Sequence, residues 1–298
     1  MVWRHPVKQL EQEHDYEAVR SALHGPRGKE LMKFMSDSSQ GLLATDCEPN
    51  ARELASCLGW IDDAGQFTTV GRKVADSFRE YLLWEERGRV VHQWTELPAL
   101  QPELFDGKRV LEIGCGFGCN LLSLQQHADE VLGVEIEPVY VALSPILAEL
   151  AGLPAPTIHV GSATEIPVPS NSVDRIVCFG ALQYMPIVEA LHESARLLRP
   201  GGLAVFVHSH LSGYVSYTLR TLGPLLRTPK AALREAVTFA GMLAYPFVGR
   251  RVTREGDPVY PTQARMRRWI EAAGMRLDPH RTRTLDHETC YVAVMEPN

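Results

Sequence analysis

Between residues 108 and 210 the chain alternates short apolar runs with stretches whose apolar positions recur every three or four residues. "RVLEIG" reads as a buried strand and "CNLLSLQQHA" as the helix after it. The pattern repeats: "EVLGVEI" is a strand, "PVYVALSPILAELAG" a helix, and "TIHVGSA" and "VDRIVCFG" are further strands. In "VEALHESARLL", Val188, Leu191, Ala195 and Leu198 share one helical face. "RPGG" ends that helix and "LAVFVHSH" follows as a fifth strand. Strands that alternate with helices must run parallel, because each helix carries the chain back to the same end of the sheet. The prediction is an α/β, doubly wound, mostly parallel sheet.

The flanks read differently. Residues 1–105 are helical and mixed in charge. "NARELASCLGW" puts Ala51, Leu54, Ala55 and Leu58 on one helical face, and "WIDDAGQFTTV" reads as two short strands around a turn at Asp63–Gly65. "GRKVADSFREYLLWEERGRVVHQW" then supplies one or two helices, so the order is that of a small winged-helix-like unit. Residues 211–258 read as long apolar and basic helices with no strand. "PTQARMRRWIEAAG" is an amphipathic helix stopped by Gly274, and "MRLDPHRTRT" with "TCYVAVMEP" form a closing antiparallel pair.

The candidate chemistry sits where the first strand ends, in "VLEIGCGFGCN". In a doubly wound sheet ligands bind at the carboxyl ends of the strands, and a glycine-rich turn lets the backbone approach them closely. A dinucleotide fingerprint would read G-x-G-x-x-G. Here the spacing is G-x-G-x-G, with Glu112 two positions before Gly114. That carboxylate would repel a pyrophosphate, whereas a cofactor carrying an ammonium and a sulfonium tolerates it. The second strand ends in "GVEIEP", where Glu135 is suited to accept both hydroxyls of a ribose.

Four stretches, "VLEIGCGFG", "GVEIEP", "GSATEIPVPSNSVDRIVCFGALQYM" and "LLRPGGLAVFV", fall in the order found in class I, seven-stranded, Rossmann-like S-adenosylmethionine-dependent methyltransferases, and the chain resembles the small-molecule, natural-product type of that family. The resemblance covers about residues 106–210 and extends through the last two strands. It implies a seven-stranded sheet in a cofactor-binding domain at 106–298, preceded by the winged-helix-like domain at 1–105 and carrying a helical lid insertion at 211–258. S-adenosyl-L-methionine is the implied cofactor. Glu112 would orient its methionine amino group, with Gly114, Cys115 and Gly116 facing the methionine moiety through backbone. Glu135 would hold the ribose, Ile136 would pack on the adenine, and the backbone of Ala163 would read a ring nitrogen. Phe179 and Gly180 would offer carbonyls to the ammonium. The family often has Asp where this chain has Ser162, whose hydroxyl accepts more weakly. Glu137 reads as a solvated charge at a helix start.

Methyl transfer from a sulfonium is an in-line displacement, so the protein's work is alignment, exclusion of water and, where needed, removal of the acceptor's proton. Gln183, Tyr184, His208 and His210 follow the fourth and fifth strands and are the residues an acceptor would meet. His208 and His210 lie on one face of their strand and are the candidate general bases, with an ordinary imidazole pKa suited to that task. Tyr184 reads as a pocket wall. In the insertion, Tyr214 and its aromatic neighbours suit an apolar acceptor, and Arg250 and Arg251 would hold an anionic group. No metal is expected.

Composition narrows the partners. A formal net charge of −6 gives no general attraction to nucleic acid or anionic membrane. Over residues 46–80, four Lys/Arg (Arg52, Arg72, Lys73, Arg79) face seven Asp/Glu (Asp46, Glu48, Glu53, Asp62, Asp63, Asp76, Glu80). A phosphate-binding winged helix would show the opposite balance. The resemblance implies homodimerisation or closure of the acceptor pocket for this unit instead. The longest apolar run, Ala236–Val248, is interrupted by Pro246 and shorter than the roughly 18 residues of a membrane span. Six cysteines with no C-x-x-C pair, and an N-terminus without a signal-like apolar region, fit reduced thiols in the cytoplasm. The expected partner is a small-molecule methyl acceptor. The alternatives are a peptide or protein acceptor, or a regulator that binds the cofactor without catalysis. "FGALQYM" lacks the N/D-P-P-Y/F sequence associated with methylation of base amino groups.

Overall fold

The computed structural model describes residues 16–39, 49–91, 97, 100–212, 233, 237, 240–241, 258–285 and 288–296. Five strands come first: β1 (Arg109–Ile113), β2 (Glu130–Glu135), β3 (Thr157–Val160), β4 (Val173–Phe179) and β5 (Leu198–Ser209). β6 (Met275–Leu277), β7 (Arg283–Thr284) and β8 (Glu288–Met295) complete the sheet. Its order is β3-β2-β1-β4-β5-β8-β6. β2 with β3, β1 with β4 and β4 with β5 pair in parallel, while β8 runs antiparallel to β5 from Leu203↔Val294 to Ser209↔Glu288. The doubly wound, mostly parallel sheet read from the apolar runs is therefore present. Val110 to Ile113 of β1 are all buried, as a strand covered on both faces requires.

Seven strands make the path expected, and β7 is an added two-residue piece on β8. It arises because "MRLDPHRTRT" does not stay extended. The Asp278 carboxylate accepts from the amides of His280 and Arg281 at 2.9 and 3.2 Å, which turns the chain after β6. Thr282 then anchors the return by accepting from the Val292 amide at 3.2 Å.

The described residues form two compact units. The first joins those up to Leu97 with Cys115–His127 and Val131–Val160. Helices α1 (Tyr16–His24), α2 (Gly28–Ser39), α3 (Pro49–Cys57) and α4 (Thr69–Glu86) share one apolar core there with α5 (Cys119–Leu124) and α6 (Pro138–Leu150). Leu31, Met35, Phe78 and Trp84 meet Leu122 and Leu147 in that core. Trp60 stands edge-on to Phe78 with ring centres 5.6 Å apart. Trp84 donates its indole N–H to Ser123 Oγ at 2.8 Å, and that hydroxyl donates to the Arg89 carbonyl at 2.9 Å.

The two short strands expected in "WIDDAGQFTTV" reduce to a single antiparallel bridge, Ile61↔Phe67. Asp62 takes up the turn, its carboxylate accepting from the Gln66 amide at 2.8 Å and its carbonyl from the Gly65 amide at 2.8 Å. Thr68, next to Phe67, already caps α4 by accepting from the Gly71 amide at 2.9 Å, so no length is left for a strand. Thr68→Ala is expected to lower stability by about 1 kcal/mol, the usual cost of a lost N-cap, measured as a shift in the urea midpoint at unchanged slope.

The second unit comprises Ala99–Gly114, Ala128–Glu130 and the residues described from Gly161 onward. It contains β1, β4, β5, β6, β7 and β8 with α7 (Ile187–Leu197) and α8 (Gln263–Ala272). α7 buries Ala190, Leu191, Ser194, Ala195 and Leu197. Thr262 caps α8 by accepting from the Arg265 amide at 3.3 Å, and Gly274 leaves the helix with a φ of +87°. No helix among the described residues is long and apolar enough to cross a membrane.

Candidate functional site

In the first unit, the turn after β1 is tied to the end of β2. Glu135 is the last residue of β2 and is 7% exposed. One carboxylate oxygen accepts from the Gly116 amide at 2.9 Å, the other from the Glu137 amide at 2.9 Å. Burial raises the pKa of this carboxyl, and the backbone donors oppose the rise. Gly116 has a φ of +57°, and a Cβ built on it would meet nothing within 4 Å, so the turn faces open space at this point. Cys115 is buried and its amide donates to the Val134 carbonyl at 3.3 Å. Ile136 follows Glu135 and is 64% exposed, a large apolar side chain with its surface uncovered. Glu137, expected to be solvated, is instead paired with Lys73 of α4.

In the second unit, Glu112 lies buried in β1, in register with Val177 of β4. Gly114 has a φ of +69°, and a Cβ there would stand 2.5 Å from the Cβ of Ala181, so only glycine fits without movement. Phe179 ends β4, and the Gly180 amide donates to the Val207 carbonyl at 3.1 Å. Ala163 is buried. The Ser162 hydroxyl lies 2.9 Å from Thr164 Oγ1 and accepts from the Thr164 amide at 3.2 Å, so it is committed to closing its own turn.

The candidate acceptor residues of this unit form a compact polar set. Gln183, His208 and His210 are buried, and Tyr184 is 52% exposed. The Val259 amide donates to the Gln183 carbonyl at 2.9 Å, and the Leu211 amide to the Pro261 carbonyl at 3.3 Å. His210 Nδ1 lies 2.8 Å from Ser212 Oγ. The His208 ring stands edge-on to Tyr260 with centres 6.4 Å apart, and its Nε2 is buried without a hydrogen-bond partner. Burial, reinforced by neighbouring His210, pushes the His208 pKa down to about 4. The imidazole is therefore neutral at physiological pH, and the ordinary pKa expected for it does not survive desolvation. Tyr260 was not among the residues singled out by sequence. It lies 52 positions beyond His208, and only the return of the chain after the insertion brings the two rings together. Tyr214, Arg250 and Arg251 lie outside the described residues, as does most of the 211–258 insertion.

Comparison with known proteins places this geometry. Residues 111–206 match the family described as a methyltransferase domain. An uncharacterized methyltransferase of Mycobacterium tuberculosis is 30% identical over 159 residues, covering 51% of this chain and 60% of the relative. A 2-methyl-6-phytyl-1,4-hydroquinone methyltransferase of rice is 33% identical over 122 residues, covering 38% of this chain and 34% of its own. Among solved structures, a chain of the Haloferax volcanii complex between the Trm112 methyltransferase activator and a methyltransferase superposes with a TM-score of 0.54 at 15% identity, covering 78% of this chain and 99% of that one. The likeness in structure is one of fold. The chain spans about 60% of the length of the mycobacterial relatives it matches.

Strand order, glycine turn and carboxylate define a Rossmann-like domain of class I. Over residues 111–206 the chain is similar to that methyltransferase domain.

Proposed function

We propose that the chain transfers the methyl group of S-adenosylmethionine to a small, partly apolar acceptor. The observation that carries this reading is Glu135, a buried carboxylate fixed by the Gly116 amide where the turn faces open space. A ribose needs such an acceptor, and a cofactor needs that space. Ile136, exposed beside Glu135, supplies an apolar face for the adenine. The resemblance assigns Ser162 and Ala163 to the adenine as well, and within its own unit the Ser162 hydroxyl is already engaged by Thr164. Glu112, Gly114, Cys115, Phe179 and Gly180 would hold the methionine end, as the resemblance implies. When bound, the sulfonium supplies an electrophilic methyl group.

The remaining work belongs to Gln183, His208, His210 and Tyr260. They offer an acceptor a largely dry wall of polar and aromatic groups. His208 is neutral and can accept a proton, but at a pKa of about 4 it is a weak base. It suits an acceptor whose own O–H is acidic, such as a phenol or quinol, better than an aliphatic alcohol. The rice relative is named for a hydroquinone acceptor, a molecule of that class. A cytoplasmic location belongs to this reading, supported by a cysteine spacing that suits reduced thiols.

The test is transfer of a labelled methyl group to a panel of phenols, quinols and short peptides. Label should enter a phenol or quinol, and Tyr260→Ala should raise the acceptor KM several-fold while leaving the KM for S-adenosylmethionine unchanged. Cofactor binding with no transfer to any acceptor would favour a regulator, and transfer only to peptides would replace the acceptor class.

A further inference from the structure

Lys73 is 64 positions away from Glu137 in the chain, yet its ammonium group is seated on the Glu137 carboxylate. Neither partner is a freely solvated charge, with side-chain exposures of 24% and 39%. Glu137 is the N-cap residue of α6, but its side chain makes no cap hydrogen bond. Its carboxylate reaches out to α4, and its amide points to Glu135 Oε1. One residue thus links α4 to the carboxylate assigned to the ribose. Next to Lys73 in sequence, Val74 and Ala75 are packed in the core that also holds Val139 and Leu143 of α6. The helix that presents the ammonium is therefore anchored. Tyr140, near the start of α6, interacts electrostatically with Asp76 on α4 as well as with Glu135 and Glu137.

We propose that Lys73 is a positioning residue for the cofactor: by holding Glu137 it fixes the turn between β2 and α6, and with it the orientation in which Glu135 meets the ribose. The inference rests on the cofactor reading above and adds a role for the N-terminal helices, which complete the ribose end of the site from within the same unit. A partly exposed ion pair contributes little to stability, so its effect belongs in affinity and not in melting temperature.

The experiment compares wild type, Lys73→Met, Glu137→Gln, the charge swap Lys73→Glu/Glu137→Lys, and Glu135→Ala. Each is titrated calorimetrically with S-adenosylhomocysteine and melted in its absence. Lys73→Met and Glu137→Gln should each raise Kd about three- to tenfold, about 0.7–1.4 kcal/mol by the affinity arithmetic. Their melting temperatures should stay near wild type, and the swap should recover most of the lost affinity. If Lys73→Met binds like wild type while Glu135→Ala binds weakly, the positioning role is wrong and the cofactor reading stands. If wild type does not bind, or Glu135→Ala binds like wild type, the cofactor reading itself fails. Lost affinity that the swap does not recover, accompanied by a lower melting temperature, would make Lys73 a packing residue only and overturn the proposal.

Discussion

Replacing Trp84 by Ala is expected to remove about 3–5 kcal/mol of stability, the range for truncating a large buried aromatic. Trp84 is fully buried near the end of α4, tilted against Tyr81 with ring centres 5.8 Å apart, and the Arg89 guanidinium lies 5.5 Å from its ring centre. Its loss would open a cavity between α4 and α5 and remove the donor to Ser123 Oγ. Trp84→Phe separates these effects. It keeps most of the ring, and Ser123 still donates to the Arg89 carbonyl, so the additional cost should be about 1 kcal/mol for the lost hydrogen bond plus a smaller packing term. Urea titrations check both values. A loss below about 1 kcal/mol for the alanine variant would mean that α4 is not part of the common core of the first unit.

The second large effect concerns acid. An unfolded histidine titrates near pH 6.5, whereas His208 in the fold titrates at about 4. Between these values the unfolded chain binds a proton that the folded chain refuses, so protonation favours unfolding. The stability is fully present above about pH 6.5, declines as the pH falls, and levels off below about pH 4, for a total of roughly 3 kcal/mol. Carboxylates held at low pKa, such as Asp174, which accepts from the Arg109 amide and pairs with Arg199, also lose stability on acidification. The His208 part is isolated by comparison with His208→Asn, which cannot titrate there. The variant should lose less stability than wild type between about pH 7 and pH 4, the range set by these two pKa values. Parallel stability curves would mean that His208 is not desolvated.

What the sequence made legible was local or periodic. The runs at β1 to β5 announce themselves because strands covered on both faces need continuous apolar residues. Gly114, Gly116 and Glu135 could be placed because a tight turn after one strand and an acid at the end of the next are features of short segments. What stayed hidden depends on distant segments meeting. Lys73 on Glu137, Trp84 on Ser123 and Tyr260 beside His208 have no spacing signature. The depressed pKa of His208 was equally invisible, since it comes from the chain that closes over the ring and not from the ring's neighbours in sequence. In "WIDDAGQFTTV" the residue types favoured strands, but the Asp62 turn and the Thr68 cap used up the length.

The central claim is that Glu135 holds the ribose of S-adenosylmethionine, and its most direct test is calorimetric titration of wild type and Glu135→Ala with S-adenosylhomocysteine. Wild type should bind at about micromolar Kd, and the variant should bind more weakly by on the order of 1.5–3 kcal/mol, about 10- to 150-fold, the scale of hydrogen bonds to a charged group. No binding by wild type, or equal binding by the two proteins, would contradict it.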